Sequence, residues 1–337
     1  MEGEKISITG IIKDWADDYN QNKEQGMQKF LASKLEDALG EEKKGESTQI
    51  VELISSEVDA YEKNKQELQN AIDDGMSKEE WMSNLLLEET EQLAKEEQVK
   101  VLGELHNGLM DSMGITVEEN QEQQKEAPLQ NNLIAKSVGN LVTGKVMQAL
   151  SEDSEQEEKE EIVSSEFVEK ALEDNSDTEL KSLVSGVMVA LHQVGKLPVI
   201  PQTVPIQAVV HIACFAVDHA RTVVQIARKE ISLTEGLSRM TRDSFAAICG
   251  IFRGKHGKFT PDSLIEAIPI LEKPLALVNK ISQGITNLIG EEVIREKIKT
   301  VRERIIPVAQ NFVQEFVHTT VSVVTNVASK IKNFLFG

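Results

Sequence analysis

Apolar residues recur along this chain at intervals of three and four, and no stretch sustains the alternation of a half-buried strand, so an all-α fold is predicted. The clearest stripe is Val51, Ile54, Val58, Tyr61, Lys65, Leu68 and Ile72, whose three-four stepping predicts a heptad-like, coiled-coil type of helix from about Ser47 to Asp73. Ser77 followed by Glu80 is a capping box. It opens a second long helix with apolar positions at Trp81, Leu85, Leu86, Leu93, Leu102, Leu105, Leu109 and Met113, ended by Gly114. Beyond the polar stretch 118–126, Leu133, Ile134, Val138, Leu141, Val142, Val146 and Met147 predict a helix within Leu129–Leu150. Helices near Ile162–Leu172 and Thr178–Gly195 follow.

Pro198, Pro201 and Pro205 cannot lie inside one helix, so they mark the expected domain boundary. Three regions are expected: an acidic helical region 1–150, an acidic linker with connecting helices 151–197, and a C-terminal helical domain 198–337. In the last, Ile206–Ile231 and a helix capped by Ser232, with Glu235 at the capping-box position, form an αα-hairpin ending near Phe252. Asp218 and Arg221 are spaced to pair on its first arm. A basic loop at 253–258 leads to helices near Pro261–Leu271 and Pro274–Ile289. A final helix from Glu291 runs almost to the end, with a bend expected at Pro307. Its apolar face includes Phe312, Phe316, Val323, Val327, Ile331 and Phe334, a candidate interaction face, and the opposite face is polar but almost uncharged.

Charge sharpens the division. The net charge is −20 over 337 residues, yet residues 1–180 carry 44 Asp and Glu against 17 Lys and no Arg, whereas residues 181–337 carry 12 against 19 Lys and Arg. Complementary fields orient association, so the acidic half is expected to solubilise the basic half or to mask it. Two cysteines make no disulfide framework, and the amino terminus lacks a basic segment leading into an apolar one. A cytoplasmic location follows as the expectation, with peripheral contact at the inner membrane as its variant. The nearest approach to a membrane span, Ile206–Val217, is expected to be a buried core helix.

The run from Asp218 to Gly250 resembles a helical hairpin found in uncharacterised bacterial proteins, where it leads into a glycine-rich apolar region. That resemblance implies a bacterial source and helix–helix pairing, and it carries no functional residue, because this chain continues into a basic loop and amphipathic helices instead.

Candidate chemistry is sparse. Gly139–Lys145 fits the core of a phosphate-binding loop, but Val146 stands where a magnesium-holding hydroxyl belongs and the surroundings are helix-periodic. Glu315 and His318 have di-iron spacing without a second copy, and His211 with His219 could share a face. No cofactor and no metal are expected. Cys214 and Cys249 are expected to be small buried residues. The negative net charge disfavours nucleic acid. The expected function is therefore a non-enzymatic helical interaction protein whose C-terminal amphipathic helices bind a protein partner, self-associate or contact a membrane surface. Two alternatives stand beside it. One is a membrane-active, pore-forming or disrupting protein held soluble by its acidic half. The other is an enzyme with an anion-binding site between helices, built from His211, Asp218, Arg221, Arg239 and Arg242.

Overall fold

The computed structural model describes residues 7–40, 45–77, 165–174, 178–197, 204–253, 274–290 and 292–336, with single positions between 80 and 103 and near 200. The fold is all-α, and no strand occurs among the described residues. The helices are α1 (Ile8–Gln21), α2 (Met27–Leu39), α3 (Ser47–Asp73), α4 (Glu166–Glu173), α5 (Thr178–Gln193), α6 (Ile206–Arg228), α7 (Leu233–Arg253), α8 (Pro274–Asn287) and α9 (Glu292–Phe336). The expected helix 129–150, the phosphate-loop-like segment 139–145, the acidic run 152–161, most of the basic loop and the helix 261–271 lie outside the described residues.

Local chemistry sets the boundaries. Ser7 caps α1 by accepting from the Gly10 N–H at 3.1 Å, and Ser77 does the same for Glu80 at 3.1 Å. α6 stops at Lys229, whose left-handed backbone (φ 62°) lets its N–H reach the Ile226 carbonyl at 3.0 Å while the Glu230 N–H reaches Gln225 at 2.9 Å. Ser232 then starts α7 by accepting from the Glu235 N–H at 3.1 Å. The hairpin's first arm thus ends three residues before the expected Ile231, because the chain turns through the left-handed region there. α9 continues as helix through Pro307, and for residues 306–321 only its backbone is described.

Two compact units divide the chain. The first combines residues 1–67, 158–251 and 274–306, so helices from both sides of the proline cluster share one core. The second comprises residues 68–157, 252–273 and 307–337. In the first unit, α5 and α6 pack on each other, α1 and α2 pack on α5, α8 packs on α6, and α4 touches α1, α5 and α6. Every residue from Leu180 to His192 is buried, and so is every residue from Gln207 to Ala220. Helices of that kind are apolar all round and belong to a core rather than a surface.

Amphipathic helices supply the rest. α1 turns Ile8, Ile12, Trp15, Ala16 and Tyr19 inward, where Trp15 and Tyr19 meet Phe30 edge to face and Tyr19 meets Phe167. On α3, Val51, Ile54, Val58 and Tyr61 are buried on the expected stripe. Close approach needs glycine on both α5 and α7. A Cβ at Gly186 of α5 would sit 2.6 Å from Leu31, and one at Gly250 of α7 would fall 2.0–2.4 Å from three ring atoms of His211.

Candidate functional site

A buried cluster of charged groups lies inside the first unit, between α3, α5 and α6. Asp218 of α6 is buried, and three groups surround its carboxylate: Lys181 Nζ at 2.7 Å, Lys65 Nζ at 2.8 Å, and the Tyr61 hydroxyl, which donates at 2.8 Å. Glu62 completes the set, pairing with Lys65 at 3.0 Å and with Lys181. Lys181 is fully buried, whereas Glu62 keeps a third of its side chain in water. Two carboxylates thus face two ammonium groups, and the quartet is neutral. Both ammonium groups also lie near the face of the Tyr61 ring, at 5.5 and 5.1 Å from its centroid.

Sequence periodicity explains how these groups meet. Lys65 and Tyr61 are four residues apart on the buried stripe of α3, so both project toward α6, and Glu62 and Lys65 stand three apart. Lys181 opens the apolar run of α5 and Asp218 interrupts that of α6. Because buried charges must be paired, each of these two requires the other or an equivalent.

Neighbouring groups extend the electrostatics. His211, seven residues or about two turns away on α6, shares a hydrogen bond with Glu57 of α3 at 3.1 Å and packs edge to face on Tyr61. Asp243 of α7 is buried and accepts from Arg242 Nε at 2.7 Å. Burial, reinforced by the Asp218 charge, pushes Asp243 up to about 6 against the pull of Arg242 and Lys65. Burial and then the charges of Asp218 and Asp243 hold Tyr61 well above the ordinary phenol range, so it stays a donor. For Lys65, burial acts to lower the pKa, and Asp218, Asp243 and Glu62 together outweigh it, leaving the value raised.

The five residues nominated from sequence are therefore distributed rather than gathered. Asp218 sits in the quartet and His211 beside it. Arg221 donates to the carbonyl oxygens of Ala171 at 2.6 Å and Asp174 at 2.7 Å, tying α6 to the end of α4, while the Asp218 carboxylate expected beside it goes to lysines. Arg239 makes an i,i+4 pair with Glu235 at 2.7 Å and reaches Gln225 at 3.2 Å. Arg242 holds Asp243. A surface depression of about 480 Å³ lies elsewhere, lined by Ile11, Asp14, Trp15, Asp17, Asp18 and Lys34. His219 bonds Ser282 of α8 at 2.9 Å, away from His211. Cys214 is buried, and the Cys249 side chain lies outside the described residues. Among the described residues no group of three or more His, Cys, Asp or Glu is placed to hold a metal, and the side chains of Glu315 and His318 fall outside them.

On the candidate interaction face of α9, Val323, Val327 and Ile331 are buried. The side chains of Phe312, Phe316 and Phe334 lie outside the described residues. Sequence reasoning did not nominate Tyr61, Glu62, Lys65 or Lys181 as functional. The available signal was a lysine at a stripe position, Lys65, and another inside an apolar run, Lys181. No protein-family model, no curated protein and no solved structure matches the chain.

Proposed function

We propose that this chain is a non-enzymatic helical interaction protein in which the acidic amino-terminal helices cover apolar helices of the basic half. One observation carries the reading: α3 is fastened to α5 and α6 by polar groups, through Tyr61, Lys65 and Glu62 around Asp218 and Lys181 and through Glu57 on His211, while the surfaces so covered are apolar. The stripe Val51, Ile54, Val58 and Tyr61 of α3 is buried as well, so a competing surface displaces the cover by replacing its apolar contacts while the charge contacts, each dependent on its partner, come apart. The dispersal of the nominated histidine and arginines over separate helix contacts favours this reading over an anion-binding enzyme.

The test weakens the cover without touching the covered helices. Lys65→Met removes one tie from α3 and leaves α5 and α6 intact in sequence. The folded variant, checked by far-UV circular dichroism, is expected to associate more than the wild type, either with itself in sedimentation velocity or with lipid vesicles in flotation. A folded variant that stays monodisperse and ignores vesicles contradicts the proposal. A membrane-active version would draw on α6, which at 23 residues is long and apolar enough to cross a bilayer by length and composition but lies mostly buried, as the core helix of a bundle does.

A further inference from the structure

We propose that the α5–α6 hairpin is a bilayer-inserting element and that the Asp218 carboxylate is its latch, shared with Lys65 of α3 when the hairpin is covered and left to Lys181 of the hairpin itself when it is released. The inference rests on the covering role assigned above and names what the cover conceals.

The placement of charge along the hairpin supports it. α5 and α6 are consecutive and packed on each other, joined by residues 194–205, in which Lys196 is the single ionisable residue. Ser182–Gln193 and Ile206–Val217 contain no Asp, Glu, Lys or Arg. Each of these twelve-residue stretches is about 18 Å long at a rise of about 1.5 Å per residue, deeper than one leaflet of a hydrocarbon core about 30 Å thick. The whole of α6 measures about 35 Å on the same rise, enough to cross. Every other charge of the hairpin lies at its base: Glu179 and Lys181 where α5 begins, Asp218, Arg221 and Arg228 in the second half of α6. The Lys181–Asp218 pair joins the two arms directly at 2.7 Å. The hairpin therefore carries its own neutralising pair, the condition under which ionisable side chains enter a membrane at lower cost. Arg221 and Arg228 are left at the base, where long basic side chains reach headgroups, against Glu179 alone once Lys181 and Asp218 are paired, and Lys196 is the one charge at the tip. That balance selects an anionic bilayer.

The contacts to α3 are of a different kind. Lys65, Glu62, Tyr61 and Glu57 stay with the cover when the hairpin leaves. Removing Lys65 therefore breaks cover-to-hairpin ties and keeps the internal pair. Removing Lys181 breaks the internal pair together with the Glu62 tie to α3, and it leaves Asp218 without a cation once α3 has gone. The two substitutions delete the same charge from the same quartet and each loosens a tie to α3, yet only Lys65→Met keeps the internal pair, so it is expected to favour insertion more.

The experiment mixes full-length wild type, Lys65→Met and Lys181→Met with vesicles of phosphatidylcholine and phosphatidylglycerol whose acyl chains carry a photoactivatable group, then measures flotation and maps the labelled residues by mass spectrometry. Lys65→Met is expected to float severalfold more than wild type, with label concentrated in residues 182–217, while Lys181→Met floats less than Lys65→Met. Lys65→Arg, which keeps the charge, is expected to match wild type. Should the Met variant fail to fold, Lys65→Gln and wild type in dilute urea supply the loosened cover. Label confined to the carboxy-terminal part of α9 overturns the hairpin assignment and leaves the covering role standing. Equal flotation of the two lysine variants overturns the latch, since simple loosening of the fold treats them alike. Self-association without flotation overturns the inference while sparing the covering role, and absence of both overturns the two together.

Discussion

Replacing Asp218 with Asn is the sharpest perturbation of the buried quartet. The substitution keeps the side chain's shape and an oxygen that can accept from Tyr61, and it removes one negative charge facing Lys181 at 2.7 Å and Lys65 at 2.8 Å. The quartet then holds two ammonium groups against Glu62 alone, a net charge of one in a place where Lys181 has no contact with water. Two unit charges about 4 Å apart at an effective dielectric of about 20 attract by about 4 kcal/mol. Breaking one side of a buried pair generally costs about 3–5 kcal/mol, which is the expected loss here. Lys181→Met leaves the opposite imbalance, an extra carboxylate, but Glu62 is one-third exposed and can turn its charge to solvent. About 2 kcal/mol is expected for it, in the ordinary range of single substitutions. Combining the two restores balance, with Lys65 facing Glu62 at 3.0 Å, so the double variant should be less damaged than Asp218→Asn alone. The assay is urea unfolding followed by Trp15 fluorescence in a Trp81→Phe background, since Trp15 lies in the core beside Phe30 and Gly186. With a slope of about 3 kcal/mol per molar, Asp218→Asn should lower the midpoint by about 1 M or more. Additive losses in the double variant, or a loss below about 1 kcal/mol for Asp218→Asn, would refute the reasoning.

Other consequences follow from single contacts. Because Asp243 titrates near 6 in the fold and near its ordinary value unfolded, its contribution is fully present below about pH 4 and is lost as pH rises through 6, a change of about 3 kcal/mol. Asp243→Asn should therefore gain stability relative to wild type between pH 5 and pH 7.5 in urea titrations, and a difference that stays constant across that interval contradicts the assignment. Gly250→Ala drives a methyl group into the His211 ring and should cost about 2–3 kcal/mol, roughly 5–10 °C in Tm, with partial relief from His211→Ala. Calorimetry showing strict additivity of that pair rules out the contact as the cause. Ser232→Ala removes the acceptor for the Glu235 N–H and should cost about 1 kcal/mol, restored to within a few tenths by Ser232→Asp.

Much of the secondary structure was written in periodicity and capping. The stripe from Val51 to Ile72 predicted α3 at Ser47–Asp73, where it is found, and Ser232 with Glu235 placed the start of α7. α1 and α2 went unpredicted although Ile8, Ile12, Trp15, Ala16 and Tyr19 fall on one face; in α1 that face is interrupted in sequence by Lys13, Asp14, Asp17 and Asp18, which the helix turns to its other side. The quartet was out of reach for another reason. Lys65 and Asp218 are 153 residues apart, and no local pattern says which distant carboxylate a stripe lysine will meet. What the chain does display is the need for a partner: a lysine between Tyr61 and Leu68 on a buried stripe, a second at the head of the apolar α5, and an aspartate within the apolar α6. Reading those three as one unmet charge balance points toward the node, whereas reading Asp218 with its sequence neighbour Arg221 points away from it.

The central claim is that α3 fastens a cover over α5 and α6 through Asp218, and native-state hydrogen exchange of the full chain with and without Lys65→Met measures it most directly. The account predicts that peptides from 180–192 and 207–220 are among the slowest to exchange in wild type, and that the variant speeds exchange there and in α3 while leaving α9 unchanged. Exchange in those peptides as fast as in the exposed turns, or an acceleration spread evenly over all helices, would contradict it.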